Sequence, residues 1–188
     1  MESYLESIIK QFEYYKSLGD KTFAQLSFEQ MEWQSDEDSN SISIIVKHIV
    51  GNMLSRWTNF LDEDGEKTWR NRDAEFISSY NSLEEIIASW ESAWACLFKA
   101  ITPLETTDLE RIVYIRNEGH TVTEAINRQL THYPYHIGQM VFLGKLLKGK
   151  EWQSLSIPKG GSSKYNAEKF SKDKERRHFT DDLKKKHL

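Results

Sequence analysis

Four stretches of this chain place apolar residues at the three-and-four spacing of a helix face. Only three prolines and nine glycines in 188 residues can interrupt them. Such patterning predicts long amphipathic helices, each of which needs a partner for its apolar stripe. The first stretch carries Leu5, Ile8, Ile9, Phe12, Tyr15 and Leu18, with Gly19 as a candidate interruption. A short piece follows, with Ser27 and Gln30 spaced as a capping box before Met31 and Trp33. The second long stretch starts after the polar cluster 36–41, aligns Ile42, Ile45, Val46, Ile49, Met53, Trp57 and Phe60, and ends near Asp64 and Gly65. The third opens at Ser82, with Glu85 placed to reach back to the cap. It buries Leu83, Ile86, Ile87, Trp90, Trp94, Leu97 and Ile101 before Pro103 closes it. The fourth repeats that opening with Thr121 and Glu124 and runs from Val122 through Ala125, Ile126, Leu130, Tyr133, Ile137, Met140, Val141 and Gly144 to Leu147.

Between the last two stretches, Ile112-Val113-Tyr114-Ile115 is a β-rich run bounded by Arg116-Asn117-Glu118-Gly119, readable as a short hairpin or an extended connector. Four helices with so little strand predict an all-α antiparallel four-helix bundle. The connector from Asp62 to Asn81, about 20 residues, is long for adjacent antiparallel helices and suggests a crossover. Residues 1–168 are read as one domain, and 169–188 as a basic, flexible tail.

Composition excludes several functions. A formal net charge of −4 gives no general attraction to nucleic acid or anionic membranes. The basic excess of the tail, which includes Lys184, Lys185 and Lys186, has only Phe170 and Phe179 as stacking aromatics. No apolar run approaches the roughly 20 residues of a membrane span. The single cysteine, Cys96, excludes an intrachain disulfide, fits a reducing compartment, and sits beside Trp94 and Leu97 as an inert, buried thiol. With no secretory signal visible, the expectation is a cytoplasmic protein.

His132 and His136 stand four apart in the fourth helix, so both imidazoles can address one ion. They lie roughly 60 to 100 degrees from the centre of their apolar stripe, flanking the core. His48 in the second helix supplies a third ring, at roughly 130 degrees from its own stripe. Three imidazoles suit a zinc, nickel or iron ion and leave a coordination position open. The competing reading is three core-edge histidines bonded to their neighbours. Tyr133 occupies the position where a His-Glu-x-x-His metalloprotease needs its glutamate, which disfavours proteolysis. Pro134, between the two ligands, removes a backbone donor and is expected to kink or loosen the helix. Gln129 and Gln139, each three residues from a histidine, are candidates for hydrogen bonds to the imidazoles or for solvent-facing positions. His120 is assigned to the surface, in the turn before the fourth helix.

With His48 in the second helix and His132 and His136 in the fourth, the chain resembles the DinB-like, YfiT-like metal-binding bundle proteins over roughly residues 3–147. Gly51-Asn-Met-Leu-Ser-Arg-Trp57, Asp64-Gly-Glu-Lys-Thr-Trp-Arg-Asn-Arg-Asp73, His132-Tyr-Pro-Tyr-His-Ile-Gly-Gln139 and Ser156-Ile-Pro-Lys-Gly160 are similar to a subgroup of unknown function. The resemblance implies an up-down-down-up bundle, a homodimer, and one divalent ion held by His48, His132 and His136. It also implies a candidate activity, transfer of a low-molecular-weight thiol to an electrophile, with Asn52, Arg56, Arg70 and Arg72 placed around the substrate. The alternative is a non-catalytic bundle that uses the metal for stability. No catalytic residue is identified, because no carboxylate pairs with a histidine along the sequence.

Overall fold

A computed structural model describes residues 2–182. Lys184, Lys185 and Lys186 of the predicted tail lie outside the described residues. Along the chain run α1 (Glu2–Phe23), α2 (Phe28–Glu32), α3 (Ile42–Trp57), a 3-10 turn (Asp73–Phe76), α4 (Leu83–Ile101), β1 (Ile112–Ile115), β2 (Glu118–Thr121), α5 (Val122–Lys148) and α6 (Ser162–Phe170). The described residues are mostly helical, with one two-stranded sheet. None of these helices is long and apolar enough to cross a membrane.

The helix starts follow from their caps. Ser27 with Gln30 and Thr121 with Glu124 form reciprocal capping boxes, and Ser41 accepts the Ile44 amide. At α4 the expected box is half made. Ser82 accepts the Glu85 amide, while the Glu85 carboxylate turns one residue farther out and takes both the backbone and side-chain N–H of Asn81. The second helix ends at Trp57, earlier than the expected Asp64. Asn59, at φ 47, turns the chain away, yet Phe60 still packs into the core.

Four long helices surround one core, with α1 touching α5 and α4, and α3 touching α4 and α5. Its centre is aromatic. Phe12, Trp57, Trp90, Trp94 and Tyr133 are nearly inaccessible, and the Trp90 and Trp94 ring centres lie 5.3 Å apart at 71°. Edge-to-face packing of this kind sets the positive ring edge against the negative face. Gly19 does not interrupt α1. A Cβ there would stand 2.4 Å from Trp90 Cζ2, so the glycine exists for close approach. Ile87, expected inside, is 39% exposed, because the α4 stripe centres on Ile86, Trp90, Ala93, Trp94 and Leu97. Helix α5 runs unbroken through Pro134.

The β-rich run is a hairpin, Ile112 to Ile115 pairing antiparallel with Glu118 to Thr121. His120 lies in its second strand, half-buried opposite Val113, rather than in a surface turn. Arg116 and Asn117 turn the corner at φ 57 and 63, as a tight two-residue hairpin requires. Asp64 holds this corner, accepting from the amides of Arg116 and Asn117, both at 2.8 Å, and from Glu66 at 2.7 Å. Partial burial pushes the Asp64 pKa up, but these three bonds outweigh it and the carboxyl titrates below its usual range. The contribution to stability is therefore complete above the unfolded carboxyl's value, near ~4, and is lost as pH falls through the lower folded value. Asp64→Asn is expected to remove that acid dependence and to destabilise the protein by about 1 kcal/mol. Faster hydrogen exchange at the Arg116 and Asn117 amides is the direct readout.

The C-terminal segment folds back on α1. Ser7 Oγ and His178 Nε2 are 3.0 Å apart, Lys10 pairs with Asp181 at 3.2 Å, and Phe179 packs on Tyr14.

Candidate metal centre

His48 projects from α3, and His132 and His136 project from adjacent turns of α5. Their Nε2 atoms converge, at 3.4 Å from His48 to His132 and 3.1 Å from His132 to His136, and one ligand atom from each ring lies within 4.8 Å of the other two. Tetrahedral zinc with bonds of ~2.0–2.1 Å would set such nitrogens ~3.3 Å apart. The two short separations already match that spacing.

The opposite edge of every ring is occupied. His48 Nδ1 meets Glu75 Oε2 at 2.9 Å, His132 Nδ1 meets Gln129 Oε1 at 3.2 Å, and His136 Nδ1 meets Gln139 Oε1 at 3.0 Å. An oxygen acceptor at Nδ1 keeps the proton there and leaves Nε2 with a bare lone pair. Three lone pairs facing one another repel when nothing lies between them and together attract a cation. Burial, reinforced by the neighbouring His136 and His48, pushes the His132 pKa down to about 3, and burial also lowers that of His136. Both rings are therefore neutral ligands at ordinary pH. The three histidines could hold a metal ion, and the chemistry of the donor set fits one.

His48 is only 7% exposed, deeper than its position on the helical wheel suggests. The connector between α3 and α4 covers it, stacking the Phe76 ring on the imidazole at 5.5 Å and delivering Glu75 from the 3-10 turn. Sequence reasoning missed Glu75, because nothing in the spacing of so long a connector tells which carboxylate will lie under which histidine. One trace existed. Gly51 stands inside an apolar helix, and a Cβ there would come within 2.2 Å of Glu75 Oε1.

Glu75 is itself clamped. Arg70 Nε donates to Oε1 at 2.7 Å and Arg70 Nη2 to Oε2 at 3.0 Å. Burial alone would push the Glu75 pKa up, but the bonds from His48 and Arg70 and the arginine's charge outweigh it, so Glu75 stays ionised below the usual range. Gly51→Ala should therefore displace the carboxylate without harming the helix, where alanine is the better former. The expected result is zinc affinity lowered by about 10- to 100-fold with an unchanged far-UV spectrum, read by competition with a chromophoric chelator.

The structure brings the other predicted residues to the same place. Asn52, Arg56, Arg70 and Arg72 line one cavity of about 390 Å³ with His48 and His132. Asn52 Oδ1 accepts from the Tyr133 hydroxyl at 3.1 Å, which in turn accepts from Trp57 Nε1 at 3.0 Å. Arg56 is buried, bonded to the Gly65 carbonyl and to Glu66. Arg70 is ion-paired rather than solvated, whereas Arg72 is exposed and rests over the Phe76 ring. Cys96 is partly buried, with Thr58 Oγ1 3.6 Å from its sulfur.

A family model described as a protein of unknown function (DUF1572) matches residues 1–161, a span that includes the three histidines, Glu75 and the hairpin. No curated protein and no solved structure matches the chain.

Proposed function

The chain belongs to the DUF1572 family, whose description carries no activity, and from that premise we propose that it is a divalent-metal-binding protein of DinB-like architecture. His48, His132 and His136 hold one zinc, nickel or iron ion. The observation that carries this reading is the outward hydrogen bond at all three Nδ1 atoms, to Glu75, Gln129 and Gln139, which leaves three Nε2 lone pairs aimed at one point.

We read the helices as an up-down-down-up bundle. Tyr4 meets Asn127 near the starts of α1 and α5, and Thr22 meets Gly144 near their ends, which supports a parallel pair. His48 early in α3 faces His136, and Trp57 at its end reaches back to Tyr133, which supports α3 running against α5. Phe12 packs on Trp94 and Gly19 on Trp90, which supports α4 running against α1.

Three protein ligands leave a coordination position free. In the catalytic reading the substrate is a low-molecular-weight thiol and the reaction is its transfer to an electrophile. A bound divalent ion would supply Lewis acidity that favours thiolate near neutral pH. As the sulfur–carbon bond forms, the bond to the leaving group breaks and the leaving group departs with the electron pair, while the thiol proton passes to solvent. Asn52, Arg56, Arg70 and Arg72 orient the reactants, and Glu75 keeps His48 in place. One feature favours the non-catalytic alternative. Among the described residues the only carboxylate hydrogen-bonded to a ligand ring is Glu75, and Arg70 clamps it.

Metal analysis of purified protein beside His48→Ala, His132→Ala and His136→Ala tests the ion. Near-stoichiometric metal in the parent and loss in all three variants is expected, and a metal-free parent that takes up no added zinc would end the proposal. Thiol transfer is rejected if metal-loaded protein conjugates none of the common cellular thiols to a broad electrophile panel. Removal of metal separates the alternatives, since unfolding on chelation marks a structural ion. A homodimer belongs to the same reading, supported by Tyr135, Phe142 and Leu146 exposed along α5. Sedimentation is expected to give twice the mass of one chain.

A further inference from the structure

Among the described residues, the cavity beside the histidines is walled by five arginines and no carboxylate. Separate elements deliver them. Arg56 comes from α3, Arg70 and Arg72 from the long connector, Arg116 from the hairpin corner, and Arg128 from α5. Convergence from four separate segments is a property of the fold and not of a basic run.

Three of these side chains meet on a single atom. Glu66 Oε2 lies 3.1 Å from Arg56 Nη1, 3.3 Å from Arg70 Nη1 and 3.2 Å from Arg116 Nη2. The other carboxylate of the cluster, Glu75, is committed to Arg70 and His48. Arg72 and Arg128 have no carboxylate partner among the described residues. Arg56, at 5% exposure, keeps a buried Nε that finds no acceptor among the described residues. Three of the five guanidinium groups thus share two acidic side chains, and the other two add their charge uncompensated around a space of about 390 Å³. Like charges gathered at a concave surface repel one another and focus a positive field into the cleft, which an entering anion relieves. Guanidinium forks match the paired oxygens of carboxylate and phosphate.

We propose that this cavity is an oxyanion subsite, receiving a small molecule that bears a carboxylate or phosphate, with Arg72, Arg116 and Arg128 contacting the anion. The remainder of that molecule points to the three Nε2 atoms. This orientation rests on the metal reading, whereas the anion contact is a property of the arginines. Glu66 positions Arg56, Arg70 and Arg116, and the Asp64 hold on the hairpin corner carries Arg116 to the cavity mouth.

Calorimetric titration of the zinc-loaded full chain at low ionic strength, with inorganic phosphate and separately with succinate, tests the subsite. Zinc content is measured on the same samples. One anion per chain is expected, with affinity lowered about tenfold in Arg116→Gln and again in Arg128→Gln. Zinc content and circular dichroism should not change, and Arg111→Gln, an exposed arginine outside the cavity, should bind as the parent does. Tighter phosphate binding assigns a phosphate ester, and tighter succinate binding assigns a carboxylate. Failure of both anions to bind zinc-loaded protein, or undiminished binding in the Arg116→Gln/Arg128→Gln double variant, overturns the proposal. Anion binding at these arginines in a parent that takes up no zinc would sink the metal reading and leave the subsite standing.

Discussion

His132→Ala is expected to lower zinc affinity by about 100- to 1,000-fold. Structural zinc sites contribute roughly 10–16 kcal/mol through four ligands, so one imidazole is worth about 2.5–4 kcal/mol, which converts to roughly that range. His132 is the most informative of the three because its Nε2 stands between the other two, 3.4 Å from His48 and 3.1 Å from His136. Alanine at this half-buried flank of α5 removes a ring that lies outside the aromatic core, so the protein should remain folded. Competition against a chromophoric chelator measures the change. An affinity within threefold of the parent would mean that His132 is not a ligand. Gln129→Ala provides a graded comparison, since it removes the carboxamide that meets His132 Nδ1 while leaving the imidazole itself, and should cost about 10- to 100-fold.

The second large effect lies in the core. Trp90→Ala is expected to destabilise the metal-free protein by about 3–5 kcal/mol, the usual cost of deleting a buried aromatic ring. For a chain of this size that lowers Tm by about 6–20 °C. Trp90 is inaccessible, packs edge-on against Phe23 at 5.2 Å and Trp94 at 5.3 Å, and donates its Nε1–H to Asp20 at 2.8 Å. Its loss therefore opens a cavity between α1 and α4 and breaks a bond across the same contact. Gly19→Ala approaches the ring from the other side. Its new methyl would need the space 2.4 Å from Trp90 Cζ2, so overpacking should destabilise by about 1–3 kcal/mol. A calorimetric Tm unchanged in Trp90→Ala would contradict the packing described for this pair of helices.

Much of this protein is legible from local rules. Ser27, Ser41 and Thr121 each mark a helix start through one hydroxyl and one amide a few residues on. The buried stripes from Leu5 to Phe12, Ile42 to Trp57 and Val122 to Met140 follow from a period of 3.6 residues. Where local rules failed, a competing contact had overridden them. Gly19 suggested a break until Trp90 from α4 claimed the space beside it. Glu85 was matched to Ser82 by spacing, yet Asn81 offered it two donors. Ile87 sits on the edge of a stripe whose centre was set by two tryptophans facing α1.

The candidate site divides in the same way. His132, His136, Gln129 and Gln139 share one helix, so their mutual geometry follows from 3.6 residues per turn and is present in the sequence alone. His48 shares α3 with Arg56, whereas Glu75 and the other arginines come from the connector, the hairpin corner and α5. Their meeting depends on α3 lying against α5, on a long connector closing over His48, and on a hairpin corner pinned by Asp64. Helical periodicity repeats every few residues and is written into each segment separately. The choice of Glu75 for His48 and of Glu66 for Arg56 and Arg116 was made only when those segments packed, because contacts across 10 to 50 residues have no spacing from which to be read.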